Sequence, residues 1–308
     1  MKHISVLLKQ TIDSLKVKED GIYVDCTLGY AGHSSAILKR LKKGKLYAFD
    51  QDSEARSYSE NVLKKIGDNF EIIPTNFVNL KEELNKRGVT KIDGIMFDLG
   101  VSSPQLDDAT RGFSFHNDAF LDMRMDKDNP ISAYEVVNNY TKEELANIFY
   151  KYGEDKFARN IAKKIVEYRE TKPIETTLEL VEIIKSAVPM KFRKDKHPAR
   201  QIFQAIRIEV NHELDVIEPA LEQALSILNV HGRVAVITFH SLEDRLVKNY
   251  FKEKCAIDPK LQGMPNIPEE YLPDYKLVVN KAIIPTEEEL EINPRARSAK
   301  LRVIERIK

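Results

Sequence analysis

The spacing of apolar positions changes character twice along the chain. Ile4, Leu7, Leu8, Ile12 and Leu15 recur at helical intervals, and Gly21-Ile22-Tyr23-Val24-Asp25-Cys26 reads as a short buried strand. The pattern then predicts a helix over about Gly32 to Leu41, a strand over Lys45–Asp50 and a helix over Ser53–Ile66. A strand over Phe70–Thr75 and, after another helix, one over Ile92–Leu99 complete the first third. Strands alternating with single helices imply βαβ units and a parallel sheet. Beyond Pro104 the period becomes helical, and Gly153 is the only glycine between Phe113 and His231. Thr141-Lys142-Glu143-Glu144 is a capping-box signature ahead of Leu145, Ile148, Phe149 and Tyr152 on one face. Phe157, Ile161, Ile165 and Tyr168 mark a second helix, Thr176-Thr177-Leu178-Glu179 starts a third, and Ile202, Phe203 and Ile206 mark a fourth. A helix over Glu213 to Leu228 leads back to strand-like Arg233–Phe239, and a helix over Leu242–Lys254 and strands over Tyr275–Asn280 and Leu301–Ile307 follow.

The fold expected is therefore α/β, a Rossmann-like domain with a mostly parallel sheet, interrupted by an all-helical insert. The sheet domain takes residues 1–107 and 213–308, and the insert 108–212. In open α/β sheets ligands sit outside the carboxyl ends of the strands, so an insert leaving after the fourth strand is expected to roof the crevice.

Composition narrows the partners. Lys and Arg total 48 against 48 Asp and Glu, so no global basic field steers the protein to a phosphate backbone. Local asymmetry survives: Lys191, Arg193, Lys194, Lys196, Arg200 and Arg207 face one acid, Asp195, and Arg295, Arg297, Lys300 and Arg302 precede Glu305. The 2 cysteines, Cys26 and Cys255, make no disulfide scaffold or zinc set, and no metal-ligand spacing occurs. No apolar run is long enough to span a membrane, and Lys9 interrupts the apolar start of the chain, which suggests a cytoplasmic protein.

Three strand ends carry chemistry. Asp25-Cys26-Thr27-Leu28-Gly29-Tyr30-Ala31-Gly32-His33-Ser34 joins the first strand to its helix; its glycines admit close backbone approach, as a purely structural turn would also require. Its spacing is not G-x-G-x-x-G, which argues against a dinucleotide. Asp50 ends the second strand, where an acid accepts from the ribose hydroxyls of an adenosine ligand, or alternatively caps the next helix. Phe97-Asp98-Leu99-Gly100-Val101-Ser102-Ser103-Pro104-Gln105 ends the fourth with a carboxylate, small residues and a rigid proline.

In this company further strings stand out: His3-Ile4-Ser5-Val6-Leu7-Leu8, Arg111-Gly112-Phe113-Ser114-Phe115, Leu121-Asp122-Met123-Arg124-Met125-Asp126, Tyr152-Gly153-Glu154, His197-Pro198-Ala199-Arg200, Phe239-His240-Ser241-Leu242-Glu243-Asp244-Arg245 and Asn293-Pro294-Arg295-Ala296-Arg297-Ser298. Over nearly its whole length the chain resembles the bacterial small-subunit (16S) ribosomal RNA (cytosine-N4)-methyltransferase family. The resemblance implies a class I methyltransferase domain, S-adenosylmethionine as cofactor and cofactor contacts at Ala31, Gly32, His33, Asp50, Phe77, Asp98 and Gln105. It departs from the family at Tyr30, often Gly there, and at Gln10, often Glu.

The chemistry expected is methyl transfer to the exocyclic N4 of a cytidine in the decoding region of the small subunit, presented as an assembled or nearly assembled particle. An activated methyl needs in-line positioning more than acid–base power. Ser102, Ser103 and Pro104 are the residues expected to hold the amine. DNA amino-methyltransferases end the equivalent string in an aromatic that stacks the base; Gln105 stands at that point here, leaving Phe113 and Phe115 as stacking candidates or as core. Lys191, Arg193, Lys194, Arg200 and Arg207 are the phosphate-binding candidates. His33 is a cofactor contact or a general base, and Ser241 a helix cap or a site residue. The competing readings are a DNA or small-molecule methyltransferase and a non-enzymatic ribosome-assembly factor on the same fold.

Overall fold

The computed structural model describes residues 4–101, 103–193, 197–261, 263–264 and 266–308. In chain order the elements are α1 (Leu8–Leu15), β1 (Ile22–Asp25), α2 (Gly32–Leu38), β2 (Lys45–Phe49), α3 (Ser53–Leu63), β3 (Phe70–Ile73), α4 (Leu80–Lys86) and β4 (Ile92–Asp98). Helices α5 (Ser103–Asp107), α6 (Ala133–Asn139), α7 (Lys142–Lys151), α8 (Ala158–Arg169), α9 (Thr177–Ala187) and α10 (Ala199–Asn211) follow. The chain ends through α11 (Ile217–Ile227), β5 (Leu228–Thr238), α12 (Ser241–Lys254), β6 (Tyr275–Leu277), α13 (Glu287–Ile292) and β7 (Lys300–Arg306). Two compact units result, one from residues 1–100 and 214–308, the other from 101–213. The boundary thus falls earlier than the expected 107/108, because α5 packs with the helical unit.

The first unit is a seven-stranded sheet in the order β3-β2-β1-β4-β5-β7-β6. Strands β1 to β5 pair in parallel, and β7 runs antiparallel between β5 and β6. Alternation puts successive side chains on opposite faces. Val24, Tyr47, Phe49, Ile95, Phe97, Val234 and Val236 pack on one side with Leu80, Leu84, Leu221, Leu225 and Val247 of α4, α11 and α12. Tyr23, Leu46, Ala48, Met96, Ala235 and Ile237 pack on the other with Ile12, Leu15, Ile37, Leu38 and Leu63 of α1, α2 and α3. Strands covered on both faces read as continuous apolar runs, which is why periodicity located them.

The strand predicted over Arg233–Phe239 starts earlier, at Leu228. The register against β4 jumps from Ile92↔Leu228 to Gly94↔Arg233, and exposed His231 takes φ 66° in the bulge. Polar Asn229, His231 and Gly232 hid that strand from a hydrophobic reading. The helix predicted from Glu213 begins only at Ile217.

In the helical unit, capping decides the helix starts. Thr141 and Glu144 close a capping box at α7, as expected, and Ser132 with Glu135 closes another at α6. Thr176 Oγ1 accepts the Glu179 N–H at 3.4 Å. Leu145, Phe149, Ile161, Ile165, Leu180, Ile184, Ile202 and Ile206 are fully buried from α7 to α10.

Candidate functional site

At the carboxyl ends of β1, β2 and β4 the sheet unit gathers three carboxylates. Asp25 is buried; Ser34 Oγ donates to its Oδ2 at 2.7 Å and the Thr27 N–H to its Oδ1 at 3.0 Å. Asp50 accepts the Gly29 N–H at 2.8 Å on Oδ2 and the Asp52 N–H at 2.8 Å on Oδ1. The Asp98 N–H donates to Thr27 Oγ1 at 2.7 Å, while its Oδ1 is buried with no hydrogen-bond partner among the described residues. Burial raises all three acids above the ordinary carboxylate range, Asp50 to about 6 and Asp98 well above, with Asp25 and Glu243 adding repulsion at Asp98. Such a group of acids is matched by cationic and hydroxyl-bearing ligands, whose charge and donors satisfy what the protein leaves open.

The first turn is shaped to bring backbone close. Gly29 takes φ 48° and Ala31 φ 60°, whereas Tyr30 keeps a negative φ, so its side chain costs the turn nothing. A Cβ on Gly32 would lie 1.7 Å from Ser5 Oγ and 2.9 Å from Ser5 Cβ, so any larger residue there would have to displace the Ser5 side chain. His33 is buried, and its Nε2 lies 3.1 Å from the Val6 carbonyl. A carbonyl only accepts, so Nε2 carries the proton and Nδ1 faces Asp98 Oδ2 at 3.7 Å. His33 therefore stands between the N-terminal segment and the β4 acid. Phe77, in a 3-10 turn before α4, sets its ring edge-on to Phe97 with centroids 5.5 Å apart. Beside it Asn76 Nδ2 donates to Gln51 Oε1 at 3.1 Å. Gly100 takes φ 89°, and the Leu99 N–H donates to the Ile237 carbonyl at 3.0 Å, so β4 ends in a sharp glycine turn.

Other predicted residues belong to the helical unit. Ser103 and Pro104 open α5, Gln105 lies within it, and Ser102 and Lys194 fall outside the described residues. Phe113 is buried with the Arg111 guanidinium 5.9 Å from its ring centre, so it is core and not a free stacking surface. Phe115 is half-buried and stacks on His197 at 4.8 Å, with Phe203 edge-on at 5.8 Å. Burial and the charges of Lys185 and His116 lower the His197 pKa.

The basic segment divides. Lys191 and Arg200 are exposed. Arg193 Nε donates to the Val188 carbonyl at 2.7 Å. Arg207 is a correction to the phosphate-binding set: its Nε and Nη2 each donate to the buried Glu213 carboxylate at 2.8 Å, a bidentate pair that spends its charge inside the unit. Lys300 and Arg302 from the C-terminal cluster are likewise held by Asp244, at 3.0 and 2.7 Å.

Two features escaped the sequence reading. Asp25, in sequence only a member of the first-turn string, is a buried acid in the structure; the signal for it is Ser34, nine positions on and within reach of a strand end. Glu243 is buried and its Oε2 accepts the Phe239 N–H at 2.8 Å. The cap of α12 is accordingly His240, in a box with Glu243, and not Ser241.

These placements can be set beside known proteins. The chain is 54% identical over 308 residues to the Exiguobacterium sibiricum protein named Ribosomal RNA small subunit methyltransferase H, covering 100% of this chain and 99% of that one. Among solved structures, an rRNA methylase from Streptococcus thermophilus aligns with TM-score 0.46 and 14% identity, covering 99% of both chains. A putative methyltransferase from Streptococcus mutans, solved in complex with SAH, aligns with TM-score 0.47 and 15% identity, covering 99% of both. Residues 1–307 match one family throughout, and the chain belongs to the MraW methylase family.

Proposed function

We propose that this protein transfers a methyl group from S-adenosylmethionine to the exocyclic N4 of a cytidine in the decoding region of small-subunit ribosomal RNA, acting on the assembled or nearly assembled particle. The observation that carries the reading is the set of three acids at the ends of β1, β2 and β4, one with a buried oxygen left without a partner. S-adenosylmethionine supplies, when bound, an ammonium, two ribose hydroxyls and a methyl already activated on a sulfonium.

In this reading Asp50 accepts from the ribose hydroxyls, Asp98 faces the methionine side and Phe77 lies along the adenine. Ala31, Gly32 and His33 set the backbone beneath the cofactor, and Gln105 adds a polar contact. Ser102, Ser103 and Pro104 hold the N4 amine in line with the methyl, gripping its N–H groups so that the nitrogen lone pair points at the carbon. The nitrogen is transiently cationic after transfer and strongly acidic, so a hydroxyl or main-chain carbonyl suffices to take its proton toward water. No side chain with a shifted pKa is required for that step. Phe115 stacks the base; Lys191, Arg193, Lys194 and Arg200 bind phosphates. A neutral protein with only local basic patches then gains selectivity from folded RNA shape and an extruded base.

The test is labelled S-adenosylmethionine with small ribosomal subunits, naked ribosomal RNA and DNA in parallel, followed by nucleoside analysis. N4-methylcytidine in the subunit lane is the expected product. Label in DNA, or in no nucleic acid, overturns the reading.

A further inference from the structure

The short 3-10 turn Met190–Phe192, between α9 and α10, exposes apolar side chains that the helical unit could have buried. Met190 is 76% exposed and Phe192 39%. Phe192 sets its ring 5.2 Å from that of Phe157, at the start of α8, tilted by 54°. Two ammonium groups lie over these rings. Lys156 Nζ is 3.7 Å from the Phe192 centroid and 5.2 Å from that of Phe157, and Lys191 Nζ is 4.9 Å from Phe192. Neither lysine makes an ion pair among the described residues.

The patch is built on a firm base. The Phe192 N–H donates to the Pro189 carbonyl at 2.9 Å and the Arg193 N–H to Met190 at 3.1 Å. Arg193 Nε ties the turn to Val188, and Asn160 Nδ2 ties α8 to Ala187. Opposite, the Phe157 N–H donates to the buried Asp155 carboxylate at 2.6 Å. The aromatic rings are therefore held in place by contacts of the unit itself.

Chemistry discriminates between the occupants such a surface could take. An apolar protein partner covering Phe192 would bury two ammonium groups with nothing to pair them, which is costly. A nucleotide satisfies both parts at once: a base stacks on the ring, the displaced lysine follows the phosphate, and both gains are independent of sequence. In duplex RNA the bases are already stacked and closed to such a ring. We propose that Met190, Phe192, Phe157, Lys156 and Lys191 form a stacking platform for unpaired nucleotides of the RNA substrate. The inference rests on the reading of the protein as an RNA methyltransferase and adds the class of RNA structure that it holds.

The experiment uses the full-length protein with three probes: unmethylated small ribosomal subunits, a single-stranded RNA oligonucleotide, and that oligonucleotide annealed to its complement. Phe192→Ala is expected to weaken binding of subunits and of the single strand about 5- to 100-fold, with the slope of log K against log salt unchanged. Phe192→Trp restores binding. Lys156→Gln with Lys191→Gln is expected to reduce that slope by about 1.4, since each phosphate contact on a single strand contributes about 0.7. Cofactor affinity stays at the wild-type value in every variant. Equal binding of duplex and single strand overturns the proposal, as does an unchanged Phe192→Ala affinity for subunits. Loss on subunits with full binding of the free strand would assign the patch to a ribosomal protein and also overturn it. A wild-type protein that methylates no RNA would instead sink the functional reading, which the other arms leave separate.

Discussion

The strand ends of the sheet unit and the loops of the helical unit treat charged side chains in opposite ways. At the ends of β1, β2 and β4, three acids are gathered with hydroxyls, N–H groups and the His33 ring around them but no lysine or arginine paired to their carboxylates among the described residues, and one Asp98 oxygen is left with no partner there. In the helical unit, several arginines are instead consumed internally. Arg111 Nη2 donates to the carbonyls of Arg124 and Met125 at 2.9 and 3.3 Å, and Arg124 to those of Lys127 and Asn129 at 3.0 and 2.8 Å. Arg169 grips Val137 and Tyr140, and Arg207 grips Glu213. A long loop carries backbone groups that must be satisfied somewhere, and these arginines satisfy them. Charged residues in an unusual string thus mark a ligand site at the strand ends and a scaffold at Arg111, Arg124 and Arg207. What separates them is whether the protein supplies the partner.

The contrast is open to direct attack. Arg207→Ala leaves the buried Glu213 carboxylate unpaired and is expected to cost about 3–4 kcal/mol of stability in chemical denaturation, with cofactor affinity unchanged. A loss of cofactor or RNA affinity without loss of stability would make Arg207 a ligand residue after all. Asp98→Asn tests the other side. It is expected to weaken S-adenosylmethionine binding about 100-fold by calorimetry, since a charge-assisted contact is lost, while the ligand-free protein melts higher than wild type. A variant that binds normally and melts lower would place Asp98 among the scaffold residues.

Periodicity located the sheet because its strands are covered on both faces, and a capping box located α7 from a handful of residues, whereas α6, whose box is closed by Ser132 and Glu135, is a finding of the structure. The acids at the strand ends were legible for a related reason: a carboxylate closing an apolar run has no structural motive within the run itself. The string Arg111-Gly112-Phe113-Ser114-Phe115 was legible only as unusual. Phe113 and Phe115 differ by two positions, yet one is core and the other half-open, because Gly112 at φ 69° turns the chain where a Cβ would strike the Phe120 carbonyl at 2.4 Å. Loop geometry of that kind depends on contacts across the loop, which spacing along the sequence does not encode. The Arg207–Glu213 pair was hidden likewise, since a basic run reads the same whether or not an acid six positions on takes one of its charges.

Asp50 sharpens the comparison through pH. Burial is the main cause of its pKa of about 6, with repulsion from Asp52 and Asp25 added and the Gly29 and Asp52 N–H groups opposing. Hydroxyl donors bind the ionised form, so cofactor affinity is expected to be level above about pH 6 and to fall roughly tenfold per unit below it, with proton release on binding. Stability has the opposite sign. A carboxyl raised from 3.8 to about 6 favours the folded state fully below 3.8 and loses that contribution as pH rises through about 6, on the order of 3 kcal/mol. Asp50→Ala should weaken cofactor binding about 10- to 100-fold and flatten both dependences. A wild-type affinity profile that is flat from pH 5 to 8 would remove Asp50 from the ribose.

The smallest effect probes how the sheet unit holds that acid in place. Helix α3 grips the first turn at two consecutive residues: the wholly buried Ser59 Oγ donates to the Gly29 carbonyl at 2.6 Å, and the Tyr58 ring lies 4.7 Å from that of Tyr30. Both contacts flank the Gly29 N–H that donates to Asp50, a bond that favours the ionised carboxylate. Loosening the turn should weaken that bond and raise the Asp50 pKa. Ser59→Ala is therefore expected to weaken cofactor binding about 3- to 10-fold, in line with one lost neutral hydrogen bond, and to move the pH midpoint of affinity upward from about 6. Tyr58→Ala should act in the same direction by less, because the tyrosine is half exposed and an aromatic pair there has little solvent to exclude. A lower melting temperature with the pH midpoint unmoved would mean that the α3 contacts pack the turn without tuning the acid, and that Asp50 is set by burial alone.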